Sequence, residues 1–182
     1  MDVVGSNPIR RLYLLSATIH RGVGMKIMDF LVPKAVSAGL TSTNKKEVIE
    51  ELLGLLINTG AVEKRNKGKV LEILMAREAL GSTAIGQGIA IPHGKCDCVK
   101  KLVGCLGISK SGIDFDSLDG EPAFIFFLLV APVDSAGPHL KALAKISRLL
   151  KDKYIRESLK SVKDEKSMLQ IIQQEDSRLS KV

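Results

Sequence analysis

A chain of 182 residues with 45% hydrophobic and 26% charged side chains has the composition of one globular domain with a full core. Its longest apolar run, Ala123 to Ala131, is too short to cross a bilayer, which argues against direct membrane insertion. The net charge of +7 raises a nucleic-acid reading, but Lys and Arg are scattered among Asp and Glu, Trp is absent and aromatics are only 4%, so no basic and aromatic platform for bases is present and no nucleic-acid partner is expected.

The charge reads instead as a solvated surface that favours acidic or phosphorylated partners. Cys96, Cys98 and Cys105 cannot all pair and form no secreted-type framework, which fits a reduced, cytoplasmic setting. Residues 1–24 read as a loosely ordered N-terminal extension. Arg10-Arg11 and the apolar residues after it faintly resemble a signal sequence, but that segment is short and interrupted. Met25 to Pro33 is an apolar entry segment, followed by a short extended piece from Val36 to Leu40.

Asn44 as cap, with Glu47 three residues on as in a capping box, predicts a helix whose stripe is Val48, Leu52, Leu55 and Leu56 and whose end is Gly60. A second helix spans Lys67 to Ala79, with Val70, Leu71, Leu74 and Met75 apolar, Arg77 and Glu78 in the last turn and Gly81 as the stop. Strands follow at Ile89–His93, Leu102–Ser109 and Ala123–Val130. The last lacks alternation, as a central strand covered on both faces does. Pro138, a favoured first-turn residue, opens a helix carrying Leu140, Leu143, Ile146 and Leu150. Helical pattern recurs over Lys153–Leu159 and Glu165–Gln174, and residues 176–182 read as a polar tail. The fold class expected is α/β: a single compact domain over 25–175, with a mixed β-sheet flanked by helices.

The stretch Ile85 to Lys95 holds most of the chemical promise. Alternation puts Ile89, Ile91 and His93 on one strand face, so the imidazole emerges where the strand ends, between a stiff Pro92 and a Gly94 that leaves room for a ligand. Such a histidine suits general acid–base work, metal binding or nucleophilic uptake of a group; the plain alternative is a core histidine. His139, in the first turn of its helix, lies among unpaired amides that attract anions and keep imidazole neutral. Arg77 offers a bidentate fork, and Ser82 and Thr83 a turn with hydroxyls, to a phosphate. His93, Cys96, Cys98, Cys105 and His139 hold enough donors for zinc but lack the paired Cys-x-x-Cys signature, so no metal is expected; a metal-binding or non-catalytic interaction module is the alternative. A nucleophile elbow, a Walker loop and a dinucleotide fingerprint are all missing.

The run Arg77-Glu78-Ala79-Leu80-Gly81-Ser82-Thr83, then Gly86-x-Gly88-Ile89-Ala90-Ile91-Pro92-His93-Gly94-Lys95, resembles the fructose/mannitol-type enzyme IIA domain of the phosphoenolpyruvate-dependent sugar phosphotransferase system. The likeness extends through Gly112 to Gly120, the strand into Ala131-Pro132, and His139-Leu140-Lys141-Ala142-Leu143, over roughly residues 25–175. It implies a mixed sheet flanked by helices and a phosphohistidine carrier that needs no cofactor. By the same resemblance His93 accepts phosphate from the histidine-containing phosphocarrier protein, His139 and Arg77 fall on the residues that stabilise it, and Thr83 matches a hydroxyl position beside it, with Ser82 of the same turn as a further phosphate-binding candidate. The downstream partner is a IIB domain or a regulated protein, and the wording of the Asp114 and His139 segments leans toward the nitrogen-regulatory group.

Overall fold

The computed structural model describes residues 24–179; the extension expected over residues 1–24 and the last residues of the expected tail lie almost wholly outside that range. A short 3-10 turn, Ile27–Asp29, leads into strand β1 (Leu31–Ser37), then helices α1 (Lys45–Asn58) and α2 (Lys67–Ala79). Strands β2 (Ala84–Gly86), β3 (Ile89–Ala90), β4 (His93–Lys95), β5 (Val103–Ile113) and β6 (Ala123–Ala131) come next, and helices α3 (Ala136–Lys151), α4 (Lys153–Ser161) and α5 (Glu165–Leu179) close the domain. The expected α/β architecture is the one found.

The sheet runs in the order β1-β5-β6-β3-β2, with β4 also paired to β6. β5 and β6 are antiparallel, whereas β1 runs parallel to β5, and β3 and β4 run parallel to β6, so the sheet is mixed. Both faces of β6 are buried. Phe126, Leu128 and Val130 pack into a core with Val48, Leu52 and Leu56 of α1 and Val70 and Leu74 of α2. Ile125, Phe127 and Leu129 pack into a second core with Ala142, Ile146 and Leu150 of α3, Ile155 of α4 and Ile172 of α5. This double burial is why the sequence of β6 is apolar without alternation.

The helix starts follow local chemistry. Asn44 Oδ1 accepts from the Glu47 amide (3.0 Å), while the Glu47 carboxylate reaches past the cap to the amide and hydroxyl of Thr43 (3.3 Å each). α3 starts two residues before Pro138: His139 N–H already donates to Ser135 O (2.9 Å), so the expected place of His139 among unpaired amides is corrected to two residues further in, at the first paired amide. Proline, lacking an N–H, sits in that first turn without losing a bond. α5 runs on through Leu179, beyond the expected end near Gln174. The buried Asp176 anchors it, its carboxylate accepting from Ile27 N (2.9 Å) and Met28 N (2.8 Å).

Cys96 and Cys98, expected as reduced thiols, are joined in a disulfide, their Cα atoms 5.1 Å apart. That separation is within bridging range. Cys105 is buried and its thiol donates to Leu52 O.

Candidate active site

His93 opens β4. The segment Ile89–Lys95 lies along β6 in one register, Ile89 opposite Ile125, Ala90 opposite Phe126 and His93 opposite Leu129, with the ladder lapsing between Ala90 and His93. Pro92 cannot donate, and the Ile91 amide turns away from β6 to Thr83 O (3.0 Å). A hairpin feeds this segment: Gln87 and Gly88 both have positive φ (57° and 78°), the pair of left-handed residues that a tight two-residue turn needs. Ile89 and Ile91 pack into the core under α3 while Ala90 faces α1 and α2, so the alternation predicted for them holds.

On the α3 side His93 meets His139, their ring centroids 5.5 Å apart and their planes inclined by 58°. The His93 Nδ1 lies 2.7 Å from the carbonyl oxygen of Ile91. A carbonyl only accepts, so Nδ1 carries the proton and the lone pair is on Nε2. Burial holds the His93 pKa below its ordinary value, and the positive charge of Arg77 lowers it further; the Ile91 bond and the charge of Glu78 act the other way without prevailing. His139 is buried, and its pKa is pushed down to about 4 by that burial, then by the charges of His93 and Lys95. Both imidazoles are therefore neutral near neutral pH. The Nε2 of His139 is buried and meets no hydrogen-bond partner among the described residues. An unpaired buried ring nitrogen beside a nucleophilic one is a place for a polar group to arrive.

Arg77, half-buried in the last turn of α2, donates from Nη1 to Gly81 O (2.9 Å). The Ser82 hydroxyl donates to Phe115 O (2.6 Å), and the buried Thr83 hydroxyl donates to Glu78 Oε2 (2.5 Å), so both hydroxyl hydrogens are committed within the fold. Gly94 does not face a ligand. A Cβ there would lie 2.7 Å from Ile73 Cγ2 of α2, so the glycine is required by helix packing, a correction to its expected role.

Sequence reasoning passed over Glu78 and Lys45. Glu78 is 6% exposed and takes the Nζ of Lys45 at 3.0 Å; Lys45 also reaches Asp116 at 2.6 Å. Against the desolvation of its ammonium, the hydrogen bonds it donates to Asp116 and Glu78 raise the Lys45 pKa. A signal was available: Val70, Leu74 and Glu78 follow at intervals of four, so an acid continues the buried stripe of α2. Among the described residues no group of three or more His, Cys, Asp or Glu is placed to hold a metal ion, and no helix is long and apolar enough to cross a membrane.

Comparison with known proteins gives the family of the chain. Residues 29–175 match the family described as phosphoenolpyruvate-dependent sugar phosphotransferase system, EIIA 2. A protein of Bradyrhizobium diazoefficiens named nitrogen regulatory protein is 38% identical over 148 residues, covering 81% of this chain and 95% of the relative. The fructose-specific EIIABC component of Bacillus subtilis is 37% identical over 152 residues, covering 84% of this chain but 24% of that longer protein. Among solved structures, the nitrogen regulatory protein IIA-Ntr of Neisseria meningitidis superposes with a TM-score of 0.72 at 34% identity, covering 79% of this chain and 97% of that one. Mannitol IIA of Escherichia coli shares the fold, with a TM-score of 0.66 at 22% identity over 78% of this chain and 97% of that one. The chain belongs to the EIIA 2 family of the phosphoenolpyruvate-dependent sugar phosphotransferase system, a family of phosphoryl-transfer domains.

Proposed function

We propose that His93 is the phosphoryl acceptor and that it is phosphorylated on Nε2. The observation that carries this is the bond from Nδ1–H to the Ile91 carbonyl, which leaves the Nε2 lone pair of a neutral ring free beside His139. In the step, that lone pair attacks phosphorus in line. The bond from phosphorus to the imidazole of the histidine phosphocarrier breaks, and its electron pair returns to the carrier's ring. The phosphoryl oxygens need donors while they change partners. His139 supplies an Nε2–H that is unpaired among the described residues, and Arg77 supplies charge. Ser82 and Thr83 enter as the turn bordering the group; their hydroxyls donate inward, so any bond to phosphate there requires those donors to turn. The acceptance step passes a phosphoryl group from one imidazole to another, so it needs no cofactor.

The phosphate leaves either to a IIB domain or as a switch acting on a regulated protein. The regulatory reading is favoured, because the Bradyrhizobium relative covered along 95% of its length and the Neisseria structure are both named as nitrogen regulatory proteins. The fructose-specific relative supports transport as the second reading. Single-turnover decay of the labelled domain separates them. On the regulatory reading, label persists when IIB domains of the fructose and mannitol type are added; loss to such a domain within seconds would favour transport.

A further inference from the structure

Three donors converge on one buried carboxylate behind the site. Glu78 accepts from the Thr83 amide (3.1 Å to each oxygen), from the Thr83 hydroxyl (2.5 Å) and from Lys45 Nζ (3.0 Å). Thr83 is 5% exposed and Glu78 6%, so these bonds are shielded from water. The carbonyl of Thr83 then accepts the Ile91 amide at 3.0 Å, and the carbonyl of Ile91 accepts the His93 Nδ1 proton at 2.7 Å. Ile91 lies between β3 and β4, where its own amide leaves β6 for Thr83 while the next carbonyl, Pro92 O, accepts from Leu129 N of β6 (2.9 Å). The Thr83 bond therefore fixes the Ile91 backbone on the edge away from β6, one residue from the peptide that carries the Ile91 carbonyl.

We infer that Glu78 is a positioning residue for His93, fixing through Thr83 the Ile91 carbonyl that selects the ring's tautomer and aim. The inference rests on the reading of His93 as phosphoryl acceptor and asks what keeps that nitrogen ready. A neutral side chain would serve poorly at position 78, since an amide presents one accepting oxygen to three donors, one of them an ammonium. The charged and titratable groups acting on the two rings are Arg77 and Glu78 from α2, His139 from α3 and Lys95 from β4.

The test uses the full chain labelled with ¹⁵N-histidine. In the wild type, His93 shows a protonated Nδ1 and an unprotonated Nε2 at neutral pH. Glu78→Gln should mix the two tautomers and slow phosphoryl acceptance about 10- to 100-fold, as small misplacements of reacting groups do, with KM for the phosphocarrier unchanged. The His93 pKa should also fall below that of the wild type, because the lost charge and the loosened Ile91 bond both favour the imidazolium. Mere loosening of the fold would move it the other way, toward 6.5, since burial is what holds it down. Thr83→Ser, which keeps the hydroxyl, should retain the wild-type spectrum. Should Glu78→Gln fail to fold, Thr83→Val decides: it keeps the amide and carbonyl, and mixed tautomers are expected. A wild-type tautomer and pKa in Glu78→Gln, or a wild-type tautomer in Thr83→Val, overturns the inference. Uptake of phosphate by His93→Ala would instead sink the acceptor reading and leave the tautomer result standing.

Discussion

His139 holds a buried ring nitrogen with no hydrogen-bond partner among the described residues. An unmet group of this kind costs about 1–3 kcal/mol of stability, and a phosphoryl oxygen would satisfy it. Replacing His139 with leucine should therefore leave the melting temperature at or above that of the wild type while slowing onward phosphoryl transfer about 10- to 1000-fold, as loss of a transition-state donor does. Thermal unfolding alongside single-turnover transfer reads both; a variant that melts lower yet transfers normally would contradict the role. The same residue predicts a pH dependence. Its folded pKa of about 4 lies below the ordinary 6.5, so from 6.5 down toward 4 the unfolded chain binds protons that the folded chain does not. Stability contributed by the neutral ring is whole above that window and is lost as pH falls through it. Urea midpoints measured across that window should fall less steeply for His139→Leu than for the wild type.

At the scale of elements, β4 is held against α2 by the absence of a side chain. Gly94→Ala should destabilise the domain by about 1–3 kcal/mol, the range for overpacking, because a methyl there meets Ile73 Cγ2. Ile73→Leu, which lacks the β-branch, should recover part of that loss in the double variant, as read from denaturant midpoints; strict additivity would place the strain elsewhere. Asp176 ties α5 to the opening turn. Asp176→Ala strips the carboxylate from the Ile27 and Met28 amides and should cost about 2–4 kcal/mol, two unsatisfied buried donors' worth.

Across the whole molecule, what was legible in the sequence is what depends on near neighbours. The bare apolar run of β6, the split of Ile89 and Ile91 from Ala90, and the capping residue Asn44 all state local geometry, and the structure agrees with them. The pattern of Arg77, His93 and His139 also stood out, and the fold brings His93 and His139 together although they are far apart along the chain. What was not legible depends on contacts across long separations. The bond from Ile27 to Asp176 spans 149 residues, so the end of the chain read as a tail. Gly94 was read as clearance for a ligand because nothing near it in sequence names Ile73. Glu78 was placed in the last turn of its helix but given no role, because its partners, Lys45 and Thr83, lie outside that helix. The start of α3 was misplaced because Pro138, though suited to the first position, fits as well two residues later in the same turn.

The central claim is that the fold presents one nucleophilic nitrogen, Nε2 of His93. Its most direct test is phosphorylation of the full chain with phosphoenolpyruvate, the first enzyme of the system and the phosphocarrier, followed by intact mass and ¹⁵N-histidine spectra. One gain of about 80 Da, the mass of one phosphoryl group, is predicted for the wild type and for His139→Leu, none for His93→Ala, with the shifted nitrogen being Nε2 of His93. A gain of the same mass by His93→Ala, or phosphate on Nδ1, would contradict the account.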